Sequence, residues 1–400
     1  MRSTHAVIDL SRLEGNYRSL RAAHAQGRLM TVVKANGYGH GLVPVARFLQ
    51  SLGQDLFAVA ILDEALALRA AGITGRILAL GAPELHRAGE YAEADVELTL
   101  PSIAHLREAI AIAASGGGVP LPVHIKVDTG MGRIGLQAEA AEEALSLLKG
   151  PHRLRVRGVY SHFAESEQLA SGFCEVQLAE FNRWRTLLAD LQADHRPEFH
   201  LANSAGLMRD SRFHFDYARV GFALWAPMVF TPKAFAPEVG QPEVNRTLEP
   251  VLSLRTRVTM VKSMREGDTV GYSRTYTCRA GETIATLPVG YGDGLFRALS
   301  NKGQVLLAGR RRPIVGNVSM DQITISLGAD TVAIGEEAVI IGSGGEESRE
   351  GAVSIENGGE EITVAEMGRW AGTIDYEVLT HLGARIPRVY THQGRVIDPP

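Results

Sequence analysis

Leu29-Met30-Thr31-Val32-Val33-Lys34-Ala35-Asn36-Gly37-Tyr38-Gly39 is a short apolar run that stops at a lysine and is followed by turn residues. Consecutive β-branched and long apolar side chains predict a strand buried on both faces. An open sheet built to bind a dinucleotide carries a glycine-rich fingerprint at this point; Lys34 stands there instead. The same unit recurs along the chain. Strands are expected at Leu29–Lys34, Leu56–Ala60, Ile77–Leu80, Glu97–Leu100, Val123–Asp128, Val156–His162, Phe199–Asn203 and Tyr217–Gly221. Helical spacing lies between them. Leu42, Val45, Ala46 and Leu49 fall on one helix face, with Pro44 tolerated in a first turn. Asp63 is the expected cap of a helix that Gly72 ends, and Trp184, Leu187, Leu188 and Leu191 form a stripe expected to pack in the core. About eight strands alternating with helices over roughly 230 residues is the arithmetic of a (β/α)8 barrel.

The pattern changes after Pro227. Prolines between Pro232 and Pro250 predict a linker. Beyond it, Val251–Val261, Thr283–Pro288, Gln304–Leu307, Ile323–Leu327 and Ala338–Ile341 read as short strands separated by turns. The expected organisation is a TIM-type barrel over residues 1–240 and a mostly β domain over 241–400. Residues 342–361 are acidic and glycine-rich, with Gly-Gly-Glu-Glu at 344–347 and again at 358–361, which predicts a solvated loop.

The 400 residues are 45% apolar and 22% charged, enough to bury a large core. A net charge of −4 argues against nucleic acid or an anionic membrane as the main partner. Cys174 and Cys278 have neither metal-ligand spacing nor a disulfide framework, which favours a reducing compartment. The first ten residues lack a signal-peptide core, and no stretch is long enough to span a membrane. A cytoplasmic protein is expected.

In a barrel of this kind catalytic groups sit at the C-terminal ends of strands, and phosphate binds after strands 7 and 8. Lys34 ends the first expected strand and His162 the sixth; Asn203 and Ser204 follow the seventh, and Arg219, Val220 and Gly221 close the eighth. Small residues and a hydroxyl after strands 7 and 8 offer donors to a phosphate. From position alone an ion-paired or snorkelling lysine is slightly the better reading of Lys34. The phosphate cradle shifts the balance. Lysine amines form Schiff bases with carbonyl cofactors, and pyridoxal 5′-phosphate carries both an aldehyde and a phosphate.

The stretch from Val32 to Gly41 resembles the cofactor-attachment motif of the alanine racemase family. The resemblance continues in order through Lys126–Gly135, Ser161–Ala164, His200–Ala205, Gly271-Tyr272, Pro288–Gly294, Met320-Asp321-Gln322 and Ile374–Glu377. It implies a barrel followed by a β domain, bound pyridoxal 5′-phosphate, and a head-to-tail homodimer with shared active sites. It implies that Lys34 carries the cofactor and is one base, and that Tyr272 of the partner subunit is the second base on the opposite face of Cα. Arg219 matches the arginine facing the pyridine nitrogen, and His162 links it to Tyr272. Tyr38, Asn203, Ser204, Gly221 and Tyr376 would hold the cofactor's phosphate end. Arg133, the Met320 amide and Tyr291 would bind the substrate and shape its entrance. Lys126 matches a lysine that is carbamylated in part of the family.

Departures from the family pattern are Gly37, Ser319 and Trp225-Ala226, none of them at a proposed catalytic group. The implied activity is interconversion of L- and D-alanine, supplying peptidoglycan. A serine or broad-specificity racemase is the alternative with the same chemistry. A barrel decarboxylase should show a glycine triplet for phosphate, but Gly-Gly-Gly stands only at 116–118, ahead of the fifth strand. A non-catalytic binding protein of the barrel type lacks the β domain and a counterpart of Tyr272.

Overall fold

The computed structural model describes residues 2–24, 27–115, 120–191, 196–228, 243–344 and 360–400. The glycine triplet at 116–118, most of the expected linker and most of the 342–361 loop lie outside the described residues. The chain opens with β1 (His5–Asp9) and then supplies β2 (Arg28–Val32), β3 (Leu56–Val59), β4 (Arg76–Ala79), β5 (Val96–Leu100), β6 (Leu121–Lys126), β7 (Leu154–Tyr160), β8 (Glu198–His200) and β9 (Tyr217–Val220). Among the described residues, β2 to β9 form one parallel sheet in the order β8-β7-β6-β5-β4-β3-β2-β9. Backbone bonds from Asp216 N to Phe199 O (3.0 Å) and from Arg219 N to Ala202 O (2.9 Å) join the two margins. The result is a nearly closed (β/α)8 barrel, as the periodicity predicts. Each of β3, β5 and β6 is buried along its whole length, because parallel strands are covered on both faces.

The helices follow the expected stripes except at Leu187, which is only half-buried. Leu42–Ser51 buries Leu42, Val45, Ala46, Phe48 and Leu49. Phe173–Leu188 buries Trp184 and Leu188, and Leu191 is buried just past its end. One local expectation fails. Asp63 does not cap Leu62–Ala70; the helix starts at Ile61 without a side-chain cap, and Asp63 lies inside the first turn. Glu64 reaches back instead and accepts from Ala60 N at 2.8 Å. Gly72, with φ +85°, ends the helix as expected, since a residue with a Cβ is strained there.

The remaining strands make a second unit. β1 pairs antiparallel with β10 (Leu252–Arg257) and parallel with the strand Arg388–His392. The stretch 251–261, expected as one strand, divides. β10 stays in the sheet of β1, while Met260–Ser263 joins a sheet with Thr283–Leu287 and Ile323–Gly328. The division falls where Val258 N bonds Glu336 O and Thr259 N bonds Thr286 O, so consecutive residues pair with different sheets. The two compact units are not contiguous in sequence. One comprises Glu14–Gly37 and Leu42–Glu249; the other comprises Met1–Leu13, Tyr38–Gly41 and Pro250–Pro400. Among the described residues no helix is long and apolar enough to cross a membrane.

Trp184 is 2% exposed, and its removal leaves a large void under the helix. Trp184→Ala should lower unfolding free energy by about 3–5 kcal/mol. A urea midpoint close to that of the unmodified protein would show that this stripe is not core.

Candidate active site

Val33 N bonds Ala58 O at 2.9 Å, which holds the chain to the neighbouring strand up to the residue before Lys34. The chain then enters a left-handed turn. Ala35, Asn36, Gly37 and Tyr38 have φ of 53°, 54°, 61° and 51°. Left-handed backbone costs about 1–2 kcal/mol for each residue bearing a Cβ. Local bonds hold this strain in place. Glu64 Oε1 accepts from Ala35 N at 2.6 Å, Asn36 Oδ1 from Leu42 N at 2.9 Å, and Val33 O from Gly37 N at 2.8 Å. A Cβ at Gly37 would meet Val45 Cγ2 at 2.9 Å, so this position also favours glycine for space. Strain held by several bonds at once is typical of functional turns.

Lys34, Lys126, Arg133, His162 and Arg219 form one electrostatic cluster at the C-terminal ends of the barrel strands. Lys34 lies just past β2 and is half-buried; burial, then Arg133 and Arg219, depress its pKa, and Glu64 opposes them. Lys126 ends β6, is 3% exposed, and donates to Val127 O at 3.0 Å. Burial and then Arg219 pull its amine down to about 7. His162 lies two residues past β7. Burial first, then Arg219, Lys126, Arg133 and Lys34, hold its pKa well below the ordinary value, so it is neutral. Arg133 is exposed, on a loop whose Gly130 and Gly132 N–H groups bond the Asp128 carboxylate.

Arg219, on β9, is 3% exposed. Nη1 donates to His200 Nδ1 at 2.9 Å and to His200 O at 3.1 Å. Nη2 donates to Ser161 O at 2.6 Å, Leu201 O at 3.0 Å and His162 Nδ1 at 3.1 Å. The Tyr160 ring lies 5.2 Å from the guanidinium and 5.1 Å from Lys126 Nζ. Burial lowers the Arg219 pKa to about 10, still protonated at neutral pH. Of the N–H groups of the guanidinium, only Nε–H has no acceptor among the described residues.

The ends of β8 and β9 are tied together. Ser204 Oγ accepts from Gly221 N at 2.9 Å. Asn203 caps the short helix Ser204–Arg209, its Oδ1 accepting from Gly206 N at 2.8 Å and from Ser166 Oγ at 2.9 Å. Asn203 is thus committed to the helix start, while Ser204 and Gly221 are brought side by side.

The other expected residues stand on the second unit. Tyr272 is 71% exposed, in a turn where Gly271, Ser273 and Arg274 have φ of 71°, 61° and 54°. Asn317 Nδ2 bonds Tyr272 O at 2.9 Å. Tyr291 and Met320 are 42% and 52% exposed and are neighbours, since Tyr291 N bonds Ser319 O and Gly292 N bonds Met320 O. Tyr38 and Tyr376 have ring centroids 6.4 Å apart. Asp321 pairs with Arg385 at 2.7 Å. Sequence reading missed Glu64, Tyr160, Glu97, His124 and His200 as parts of the site. The available signal was polar residues inside apolar strands: Glu97 in Val96–Leu100 and His124 two positions before Lys126.

The family model described as the alanine racemase N-terminal domain matches residues 8–227, and that for the C-terminal domain matches residues 251–390. The chain belongs to the alanine racemase family. It is an isomerase of that family. It is 40% identical to alanine racemase of Symbiobacterium thermophilum over 98% of this chain and 97% of that one. The solved alanine racemase of Bacillus anthracis with bound L-Ala-P superposes with a TM-score of 0.85 at 33% identity, covering 100% of this chain and 97% of that one. That of Bartonella henselae, with covalently bound pyridoxal phosphate, gives 0.83 at 27% identity, covering 98% and 100%.

The depressed Lys126 pKa fixes the sign of a pH effect. Between about 7 and the ordinary value of 10.5 the unfolded chain holds a proton at this lysine that the folded chain does not. Stability therefore rises with pH across that window. In carbon-dioxide-free buffer, Lys126→Met should flatten this rise. Identical slopes of urea midpoint against pH in both proteins would rule out a buried neutral amine.

Proposed function

We propose that this chain interconverts L- and D-alanine with pyridoxal 5′-phosphate held in the barrel, as a homodimer whose subunits share their active sites. The observation that carries the reading is the pair made by Lys34, a partly desolvated amine, and Arg219, a buried guanidinium with one uncommitted donor. The residues fit the cofactor. Lys34, Arg133 and Arg219 make a cationic cluster suited to a phosphate and a carboxylate. The related B. henselae structure carries this cofactor covalently bound.

Bound pyridoxal phosphate supplies an aldehyde for the substrate amine and an electron-withdrawing ring that acidifies Cα–H. The remaining work belongs to the chain. Lys34 Nζ is the attachment point and, once displaced by the substrate amine, moves the proton at one face of Cα. Tyr272 of the partner subunit moves it at the other face. Arg219 Nε–H donates to the pyridine nitrogen. A guanidinium keeps its proton, so Arg219 would offer that nitrogen a hydrogen bond without protonating it. With the cofactor bound, this would favour return of the proton to Cα over transamination.

His162 is neutral and accepts from Arg219 through Nδ1, which leaves its Nε2–H to meet the Tyr272 oxygen. Ser204, Gly221, Tyr38 and Tyr376 bind the phosphate, with Asn203 acting through the helix start that it caps. Arg133 and the Met320 amide bind the substrate carboxylate, and Tyr291 limits side-chain size. A Lys126 amine near 7 is about half neutral at neutral pH, and the neutral form is the one that adds carbon dioxide; the resulting anion would brace Arg133. Tyr272, Met320 and Tyr291 are exposed in a single copy, which supports their service to a second one. In this reading residues 1–240 carry the cofactor and 241–400 complete the partner's site. The product is D-alanine for peptidoglycan, made in the cytoplasm.

A chiral assay on L-alanine with added pyridoxal phosphate tests the activity. Serine or lysine turning over faster than alanine would overturn the substrate assignment in favour of a broader racemase. Lys34→Ala should lose the bound-cofactor absorbance and activity. Tyr272→Phe should keep the absorbance and lose Cα hydrogen exchange mainly from one enantiomer. Mixing the two inactive variants should restore about one quarter of the activity, because random pairing yields heterodimers with one intact site each. No recovery in verified heterodimers would sink the shared site.

A further inference from the structure

Below Arg219 a chain of buried polar groups runs through the inside of the barrel, and the function proposed above does not use it. Arg219 Nη1 donates to His200 Nδ1 at 2.9 Å. His200 Nε2 lies 3.1 Å from His124 Nδ1, and His124 Nε2 lies 2.7 Å from Glu97 Oε2. Arg76 Nε bonds the other Glu97 oxygen at 2.6 Å. His200 and His124 are fully buried, and Glu97 is 2% exposed. Arg219, His200, His124 and Glu97 come from β9, β8, β6 and β5, and Arg76 from β4.

Counting hydrogens fixes the direction of every bond. A guanidinium only donates, so His200 Nδ1 is bare. A neutral imidazole has one N–H, so that of His200 is on Nε2 and points at His124 Nδ1, which must also be bare. The His124 hydrogen is then on Nε2 and is given to Glu97, a carboxylate that only accepts. A cationic His200 would set N–H against N–H; burial and the Arg219 charge both oppose it. The argument also decides His124. An imidazole 2.7 Å from a carboxylate ordinarily reads as an ion pair. Here a second proton on His124 would leave two N–H groups facing each other, so His124 is neutral.

We infer that Glu97, His124 and His200 form a one-way hydrogen-bond chain that orients Arg219 and leaves Nε–H as the one donor the guanidinium has to offer. The carboxylate at the far end sets the polarity. With a terminus able to donate, both rings can reverse together, and His200 then presents Nδ1–H to Arg219 and displaces it. Glu97 is a positioning residue acting through two imidazoles from β5. The polarity stands on the barrel alone; only its consequence for racemisation rests on the proposed function.

Neutron diffraction from crystals of the deuterium-exchanged holoenzyme reads the hydrogens directly. The expected map has deuterium on Nε2, and none on Nδ1, of both His124 and His200. Deuterium on either Nδ1 overturns the chain. Glu97→Gln keeps shape and an acceptor but adds a donor. It should lower kcat roughly ten-fold, the lower end of the scale on which partners behind a site residue act, with little change in KM. It should also alter the pH dependence of bound-cofactor absorbance, which a purely structural brace would leave alone. A Glu97→Gln enzyme that is merely less heat-stable, with unchanged kcat and spectrum, overturns the positioning role. Should this variant not fold, the map of the unmodified enzyme decides alone. A map with the expected hydrogens, joined to an unchanged cofactor spectrum in Arg219→Lys, keeps the chain and removes Arg219 from the pyridine nitrogen.

Discussion

A guanidinium sealed inside a barrel is costly unless each of its N–H groups finds an acceptor. Arg219 meets that demand with the carbonyls of Ser161, His200 and Leu201 and with two imidazole nitrogens, leaving Nε–H over. This fixed charge then acts on its surroundings. It is among the causes that depress Lys34, Lys126 and His162, and in Lys126 and His162 it ranks next after burial. The role proposed for Lys34, exchanging covalent partners and moving protons near neutral pH, needs such depression. The same cation that lowers these neighbours also keeps His162 neutral, and so able to accept a hydrogen bond through Nδ1.

The barrel and the turns at its rim hold this arrangement. Ser204 Oγ ties the margin after β8 to the margin after β9, so the two ends expected to hold phosphate are fixed with respect to each other. The left-handed turn after Lys34 is unfavourable in isolation and is pinned by Glu64, Asn36 and Val33. Strain and restraint at that turn leave the lysine little freedom, which suits a group that must meet its partner in one geometry. On the second unit, Tyr272 is held at an equally tight turn beginning at Gly271 and projects into solvent. An aromatic side chain displayed in this way from a constrained backbone is suited to completing a site elsewhere.

Local pattern carried much of the fold. Most barrel strands are short, largely apolar runs covered on both faces, and the helices between them show buried stripes, so alternation implies the parallel barrel. It failed where a neighbour in space decides the outcome. Asp63 has the chemistry of a cap, yet Glu64 makes the bonds because it alone reaches Ala35 and Ala60. Residues 251–261 read as one strand, yet they divide because Val258 and Thr259 bond different sheets. β1 is not among the expected strands; it pairs with β10 and with Arg388–His392, partners far along the chain that no local window contains.

By itself the sequence determined the barrel, the family and which side chains stand near the strand ends, because strand periodicity and ordered motifs are local properties. Lys34, His162, Ser204 and Arg219 follow from where strands end. Tertiary structure alone decided how those groups behave. Which N–H of Arg219 remains uncommitted depends on acceptors from β8 and from the loops that follow β7 and β8. Whether Lys126 is a cation depends on how deeply β6 is covered and on how near Arg219 lies. The tautomers of His124 and His200 depend on a carboxylate on another strand. Hydrogen-bond direction and desolvation are set by neighbours in space, and linear order does not encode them.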